Sequence, residues 1–425
     1  MASSDGITYQ KTTLPDGLRI VTERVPSIRS IAIGVWINVG SRNEEKQEAG
    51  ISHFIEHMAF KGTTRRSAKE IASFLESLGG SLNAFTSREQ TCYHALVLDE
   101  HMEQAVDILA DITLNPSLSL TNLEREKSVV IEEIQEVEET PSENVHELFS
   151  ESFWRGQPIG RPIMGNRSNI RRLSRSDLIK FREKHYRSGD VVIAAAGNVS
   201  HKKLVELVRK RFHFPRGSDS TGKDARSPEK FLLRLFNKKA SQTHLCLGFP
   251  GVKFDDPRRN TILALHTYLG GGMSSVLFQK IREEKGIAYS IYTFPDFYKD
   301  NGLIGVYLAA DRRRLKAALA IIFRELRKLK RERIPEGRLA QVKEQMKGNT
   351  TLGLESAMSR MIRLGRFEIM AQKYLPLGDT LRAINNITSD EIISMARQIF
   401  IEDRLTVTLL GSATENDLRG LDWKI

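Results

Sequence analysis

The sequence predicts an α+β fold of two homologous, duplicated domains, each a mostly antiparallel sheet with helices, and three observations carry that prediction. One unit of sequence occurs twice. Hairpin-like strands are mixed with long helical stretches without regular βαβ alternation, and a polar segment separates the halves.

The repeat is plainest near the end of each half. "IRRLSRSDLIKFREKHYRSGDVVIAAAGNVS" lies on "INNITSDEIISMARQIFIEDRLTVTLLGSAT" without a gap, Ile170 on Ile384, an offset of 214 residues. Leu173 then meets Ile387, Leu178 meets Ile392, Phe181 meets Met395, Tyr186 meets Phe400 and Gly197 meets Gly411. Each copy reads as an amphipathic helix leading into a short apolar strand that ends at glycine. So long a period marks a duplicated domain, because solenoid repeats run about 20 to 50 residues.

The front ends agree more loosely. "RSIAIGVWINVG" and "THLCLGFPGV" are strands leading towards a long helix, and "TTLPDGLRIVTE" is a hairpin. After its helix the first half continues as "LGGSLNAFTSREQTCYHALVLD", and the second as "LGGGMSSVLFQKIREEKGIAYSIYTFPDFYKDNGLIGVYLAA", both ending in strand-like runs. The linker is "PRGSDSTGKDARSPEK", which has no apolar period. The expected division is therefore a domain over 1–214, a linker over 215–230 and a domain over 231–425.

Composition excludes several classes of function. With 40% hydrophobic and 28% charged residues the chain is globular, and no apolar run approaches the roughly 18 residues of a membrane span, so no membrane insertion is expected. Two distant cysteines, Cys92 and Cys246, exclude a disulfide framework and a thiolate-built zinc site. The net charge of +11 sits largely in segments such as 312–334. There Leu315, Leu319, Ile322, Phe323, Leu326 and Leu329 form one apolar helix face, so the basic residues form the solvated one and no nucleic-acid partner is expected. Gly270 to Gly272 lacks the GK[ST] of a phosphate loop and reads as a flexible turn. The start of the sequence shows no export or organelle signal, which makes a reducing, cytoplasmic setting the expectation.

The chemistry concentrates in "ISHFIEHMAFKGT". On a helix His53 and His57, four apart, point the same way and offer two imidazoles to a zinc ion, with Glu56 within reach of a water in an open coordination position. The alternative is two surface histidines and no metal. A third ligand can come from the glutamate-rich helix expected over 119–141, whose apolar stripe is Leu123, Val130, Ile134 and Val137. At about 100° per residue Glu126 and Glu133 fall on the shoulder of that stripe, about −60° and −80° from Leu123, while Glu132 and Glu136 fall on the far side. A carboxylate on a core-facing shoulder needs a partner, either a metal or a buried Arg or Lys.

With these residues in view, the sequence resembles the zinc metallopeptidases of the pitrilysin, insulinase and mitochondrial processing peptidase superfamily, through "HFIEHMAFKGT", "SLNAFTSREQTCYHA", "EREKSVVIEEI" and "IREEKGIAYSIYTF". By size and layout it is most similar to the dimeric, processing-peptidase-like class. The resemblance implies one zinc per chain on His53, His57 and Glu133, Glu56 as general base and Glu126 as an auxiliary acidic residue. It also implies Arg282 and Tyr289 as groups supplied by the second half, and an edge strand through Asn83, Ala84 and Phe85 that pairs with the substrate backbone. The expected activity is zinc-dependent endopeptidase cleavage of peptides or unfolded segments, with the domains closing as a clamshell. The resemblance further implies a homodimer, or a heterodimer, in the bacterial cytoplasm, or in the mitochondrial matrix if a transit peptide has been removed. The rival is a non-catalytic or partner-dependent subunit of a heteromeric processing peptidase or respiratory core complex.

Overall fold

The computed structural model describes residues 6–218 and 224–425; part of the expected linker, 219–223, lies outside the described residues. The chain forms two compact units, one of residues 1–134, 161–223 and 353–374, the other of 135–160, 224–352 and 375–425.

The first unit is built on six strands: β1 (Thr8–Thr13), β2 (Arg19–Arg24), β3 (Ser30–Ile37), β4 (Ser81–Thr86), β5 (Thr91–Leu98) and β6 (Val191–Gly197). Their order across the sheet is β1-β2-β6-β3-β5-β4. The second unit has five: β7 (Leu232–Asn237), β8 (Thr243–Pro250), β9 (Ala288–Phe297), β10 (Gly302–Ala310) and β11 (Thr406–Gly411), ordered β7-β11-β8-β10-β9. Apart from β1 the two orders correspond strand for strand, and each sheet has one parallel pair, β2 with β6 and β7 with β11, among antiparallel ones. The fold is thus the α+β duplication that the sequence predicts.

The offset of 214 holds in detail. Helix Arg175–His185 is capped by Ser174 with Asp177 returning the bond, and helix Ser389–Ile399 is capped by Thr388 with Glu391 in the same role. Such reciprocal caps satisfy amide donors that the first turn leaves unpaired.

Units and sequence halves differ in two segments. Helix Pro141–Phe153, in the first half by sequence, packs on β8 and β11 and places Phe149 and Phe153 in the second unit's core. Helix Ala357–Ala371, in the second half, packs on β2, β3 and β6 of the first unit. Each crosses its sheet at a mid-strand glycine. A Cβ added at Gly34 would stand 2.5 Å from Met361 Sδ, and one added at Gly248 would stand 2.6 Å from Phe149 Cζ, so neither helix could seat over a larger residue. Gly34 and Gly248 are themselves 214 residues apart.

Two readings of loops and faces are resolved. The apolar face expected in 312–334 is buried along helix Leu315–Leu329. Gly270 ends helix Arg259–Gly270 and lies so close to Thr293 of β9 that a Cβ would stand 2.6 Å from its amide, so close packing rather than a flexible turn sets this glycine. No helix among the described residues is long and apolar enough to cross a membrane.

Candidate active site

The HxxEH segment forms helix Ile51–Ala59. Its start is set by Gly50, whose φ of +98° is in the left-handed region, with the Met164 carbonyl where a Cβ would stand. The first turn is held by Glu44, a buried carboxylate accepting hydrogen bonds from the Gly50 amide at 2.7 Å and the Ser52 amide at 2.9 Å. Burial pushes the Glu44 carboxyl up to about 8, against the pull of those amides and of Arg161. Ile51, Phe54, Ile55 and Met58 face the core, which turns His53, Glu56 and His57 to the other side.

The His53 and His57 rings lie 4.5 Å apart at 61° to each other. Helix Leu120–Glu139, whose first turn begins at a Ser119 hydroxyl accepting from the Asn122 amide, runs alongside and buries Leu123, Glu126, Val130 and Ile134. Glu133 Oε2 comes to 3.5 Å from His57 Nε2, and one ligand atom from each of His53, His57 and Glu133 lies within 4.8 Å of the others. Two ligand atoms bound tetrahedrally at 2.0–2.1 Å stand roughly 3.4 Å apart, so the His57–Glu133 distance is already that of a zinc site.

The surroundings fit a metal as well. His53 Nδ1 is buried with no hydrogen-bond partner, and burial, followed by the charge of His57, pushes the His53 imidazole down to about 4, which keeps it neutral as a ligand must be. Glu126 bridges His57 Nδ1 at 3.2 Å and Lys61 Nζ at 2.9 Å. A carboxylate on the far nitrogen of a ligand histidine fixes its tautomer and leaves Nε2 free. Glu56 Oε2 accepts from the Thr86 hydroxyl at 2.5 Å, and burial raises the Glu56 carboxyl against the effects of Thr86 and His57.

Thr86 ends β4, the edge strand of the first sheet, so the strand carrying Asn83, Ala84 and Phe85 runs to Glu56. Asn83 takes the Ala84 amide on its own side chain at 2.8 Å, and Phe85 packs edge-on against Trp36. Lys61, Thr86 and Glu44 were not singled out from the sequence. Lys61 lies just past the end of helix Ile51–Ala59, so helical spacing from His57 does not place it, and it reaches the site through Glu126.

Arg282 and Tyr289 lie in the second unit. Arg282 sits in a π-helical turn, Phe278–Glu283, its guanidinium 4.7 Å from the centres of both the Phe278 and the Tyr289 rings, while Tyr289 is 72% exposed at the start of β9. This unit's helix Arg259–Gly270 carries only His266, which bonds the Thr293 hydroxyl at 2.7 Å.

Sequence profiles agree with both halves. That of the insulinase family, peptidase family M16, matches residues 19–167, and that of the M16 inactive domain matches 172–346. The chain belongs to the M16 peptidase family. An uncharacterized zinc protease of Bacillus subtilis is 39% identical to this M16 chain over 93% of it and 96% of the relative. One of Mycobacterium leprae is 39% identical over 94% and 91%. A protease from Helicobacter pylori of known structure superposes with a TM-score of 0.88 over 95% of this chain and 99% of that one, at 21% identity, a likeness of fold.

Proposed function

We propose that the protein is a zinc endopeptidase in which His53, His57 and Glu133 hold the metal and Glu56 is the general base. The observation that carries the reading is the convergence of these three ligand atoms beside a carboxylate of raised proton affinity. The relatives named zinc proteases support the choice of metal. Zinc, when bound, polarises the scissile carbonyl and acidifies the attacking water. Glu56 takes the proton from that water and delivers it to the leaving amine, a transfer for which a carboxyl raised towards neutrality suits better than an ordinary one. The Thr86 hydroxyl engages one Glu56 oxygen and leaves the other for the proton. Glu126 and Lys61 orient His57.

The free edge of β4 receives the substrate backbone as an added strand, which gives affinity with little sequence demand. Arg282 and Tyr289 act as donors to the developing oxyanion once the second domain closes on the substrate as a clamshell, and the working form is a dimer.

The test is a peptide library incubated with the protein, with and without chelator, and with Glu56→Gln. Cleavage should need metal, and Glu56→Gln should keep its zinc but lose about 10²–10⁴ in kcat. Cleavage indifferent to chelator, or more than about a tenth of the wild-type kcat in Glu56→Gln, contradicts the reading. Bound zinc with no cleavage by the chain alone favours the rival, a partner-dependent or non-catalytic subunit.

A further inference from the structure

The second unit holds a cleft of about 690 Å³ whose walls are rich in arginine: Arg282, Arg313 and Arg314, with Gln242, Tyr289 and a single carboxylate, Asp311. Two of the guanidiniums are fixed. Arg282 is stacked between Phe278 and Tyr289, and Arg314 Nη1 is bonded to the Gly286 carbonyl at 2.5 Å. The third is not. Arg313 is 86% exposed along its side chain, and its ion pair with Asp311 spans 3.7 Å, too long for a hydrogen bond. Asp311 is itself occupied in capping the following turn, accepting from the Arg313 amide at 2.9 Å. Arg282 also faces the Glu283 carboxylate at 3.6 Å, so three guanidiniums stand against two carboxylates, and the cleft keeps a surplus of positive charge with one guanidinium fork, that of Arg313, open to solvent.

We infer that this cleft is a subsite for a carboxylate of the peptide substrate, with Arg313 as the residue that receives it. The inference rests on the peptidase reading for the identity of the ligand. A guanidinium presents parallel N–H groups that match both oxygens of a carboxylate, and the fixed charges of Arg282 and Arg314 deepen the potential without further ordering. The carboxylate can be an acidic side chain or a chain terminus, and Arg313 is a specificity residue rather than a catalytic one.

The experiment measures fluorescence polarisation of labelled peptides on full-length Glu56→Gln, which should turn them over about 10²–10⁴-fold more slowly than the wild type. Four peptides of equal length are compared: amidated ones with Glu, Gln or Lys at the varied positions, and the Gln peptide with a free C-terminus. The Glu peptide should bind about threefold to tenfold tighter than the Gln peptide, and more weakly as salt rises from about 0.05 to about 0.5 M. Adding Arg313→Ala should abolish that advantage while leaving the Gln peptide unchanged, Arg313→Lys should restore part of it, and Arg313→Glu should favour the Lys peptide. An advantage in the free-terminus peptide instead of the Glu peptide assigns the subsite to a terminal carboxylate. Equal affinity for all four, or an equal loss for all four in Arg313→Ala, overturns the inference. Wild-type cleavage of the same peptides separates the two claims: an Arg313-dependent preference without cleavage sinks the peptidase reading and leaves the subsite, whereas cleavage without preference does the reverse.

Discussion

Glu126→Gln probes how His57, a proposed metal ligand, is held. Both oxygens of this nearly buried carboxylate are committed, Oε2 to His57 Nδ1 at 3.2 Å and Oε1 to Lys61 Nζ at 2.9 Å. A glutamine offers one acceptor and one donor in the same space, so it must face either the imidazole N–H or the Lys61 ammonium with its own N–H groups. If it keeps the imidazole, the tautomer survives but Lys61 loses its counter-charge beside the metal site; if it keeps Lys61, His57 loses the bond that leaves Nε2 free towards Glu133. Either way a partner behind a metal ligand is lost, a change that costs about 10–100-fold in metal affinity, or about 1.4–2.7 kcal/mol. Competition against a chelator of known zinc affinity measures it, with unfolding of the chelated proteins as a control for the fold. Zinc affinity within about twofold of wild type would refute the reasoning, because it would mean that His57 is oriented without Glu126.

Three other outcomes are expected. In the chelated protein, Glu44→Gln should change how stability depends on pH: between 4.5, the ordinary value, and about 8 the folded wild type keeps a proton that the unfolded chain has released. Wild-type stability therefore falls as pH rises through that window, and the wild-type-minus-variant difference in urea unfolding should shrink by up to about 1.4 kcal/mol per pH unit; a pH-independent difference would exclude it. Tyr289→Phe should lower kcat by up to about 10²–10³ with KM and zinc content nearly unchanged, and a rise in KM alone would show that Tyr289 only binds. Residues 1–218 expressed alone should give red-shifted tryptophan emission and no cooperative melt, because Trp36 and Trp154 are covered by residues beyond 224, and co-expression with 224–425 should restore both; a blue-shifted, cooperatively melting fragment would show that the first half folds by itself.

The candidate metal cluster was readable because each of its parts leaves a local trace. The i, i+4 spacing puts His53 and His57 together, and the helical stripe picks Glu126 and Glu133 out of a run of glutamates. The strand-ending glycines were readable in the same way, from the gap-free offset between the copies. Glu44 was not, since it lies close to Glu45 and Glu48, and only the return of the chain at 161–165 buries it in preference to them. Nor does a helix stripe say which sheet it will meet. Helices Pro141–Phe153 and Ala357–Ala371 each show an apolar face, and their placement on the sheet of the other half depends on contacts more than 90 residues away.

That exchange says what the duplication preserves. Gly34 and Gly248 hold the same place in their sheets and each admits a helix from the other half of the chain, so the crossings occur in both copies as a pair. The helix that carries the HxxEH residues is repeated too: Ile51–Ala59 packs beside β4 and Arg259–Gly270 beside the corresponding β9. Its outward face is not. In the first copy that face carries His53, Glu56 and His57 with Glu133 opposite; in the second it carries His266 alone, bonded to Thr293. Packing fixes the glycines, the caps and the buried stripe, and leaves the face away from the core free to differ, so the same scaffold presents a cluster that could hold a metal in one copy and a single histidine in the other. The proposed function accordingly rests on four side chains and not on the fold the two copies share.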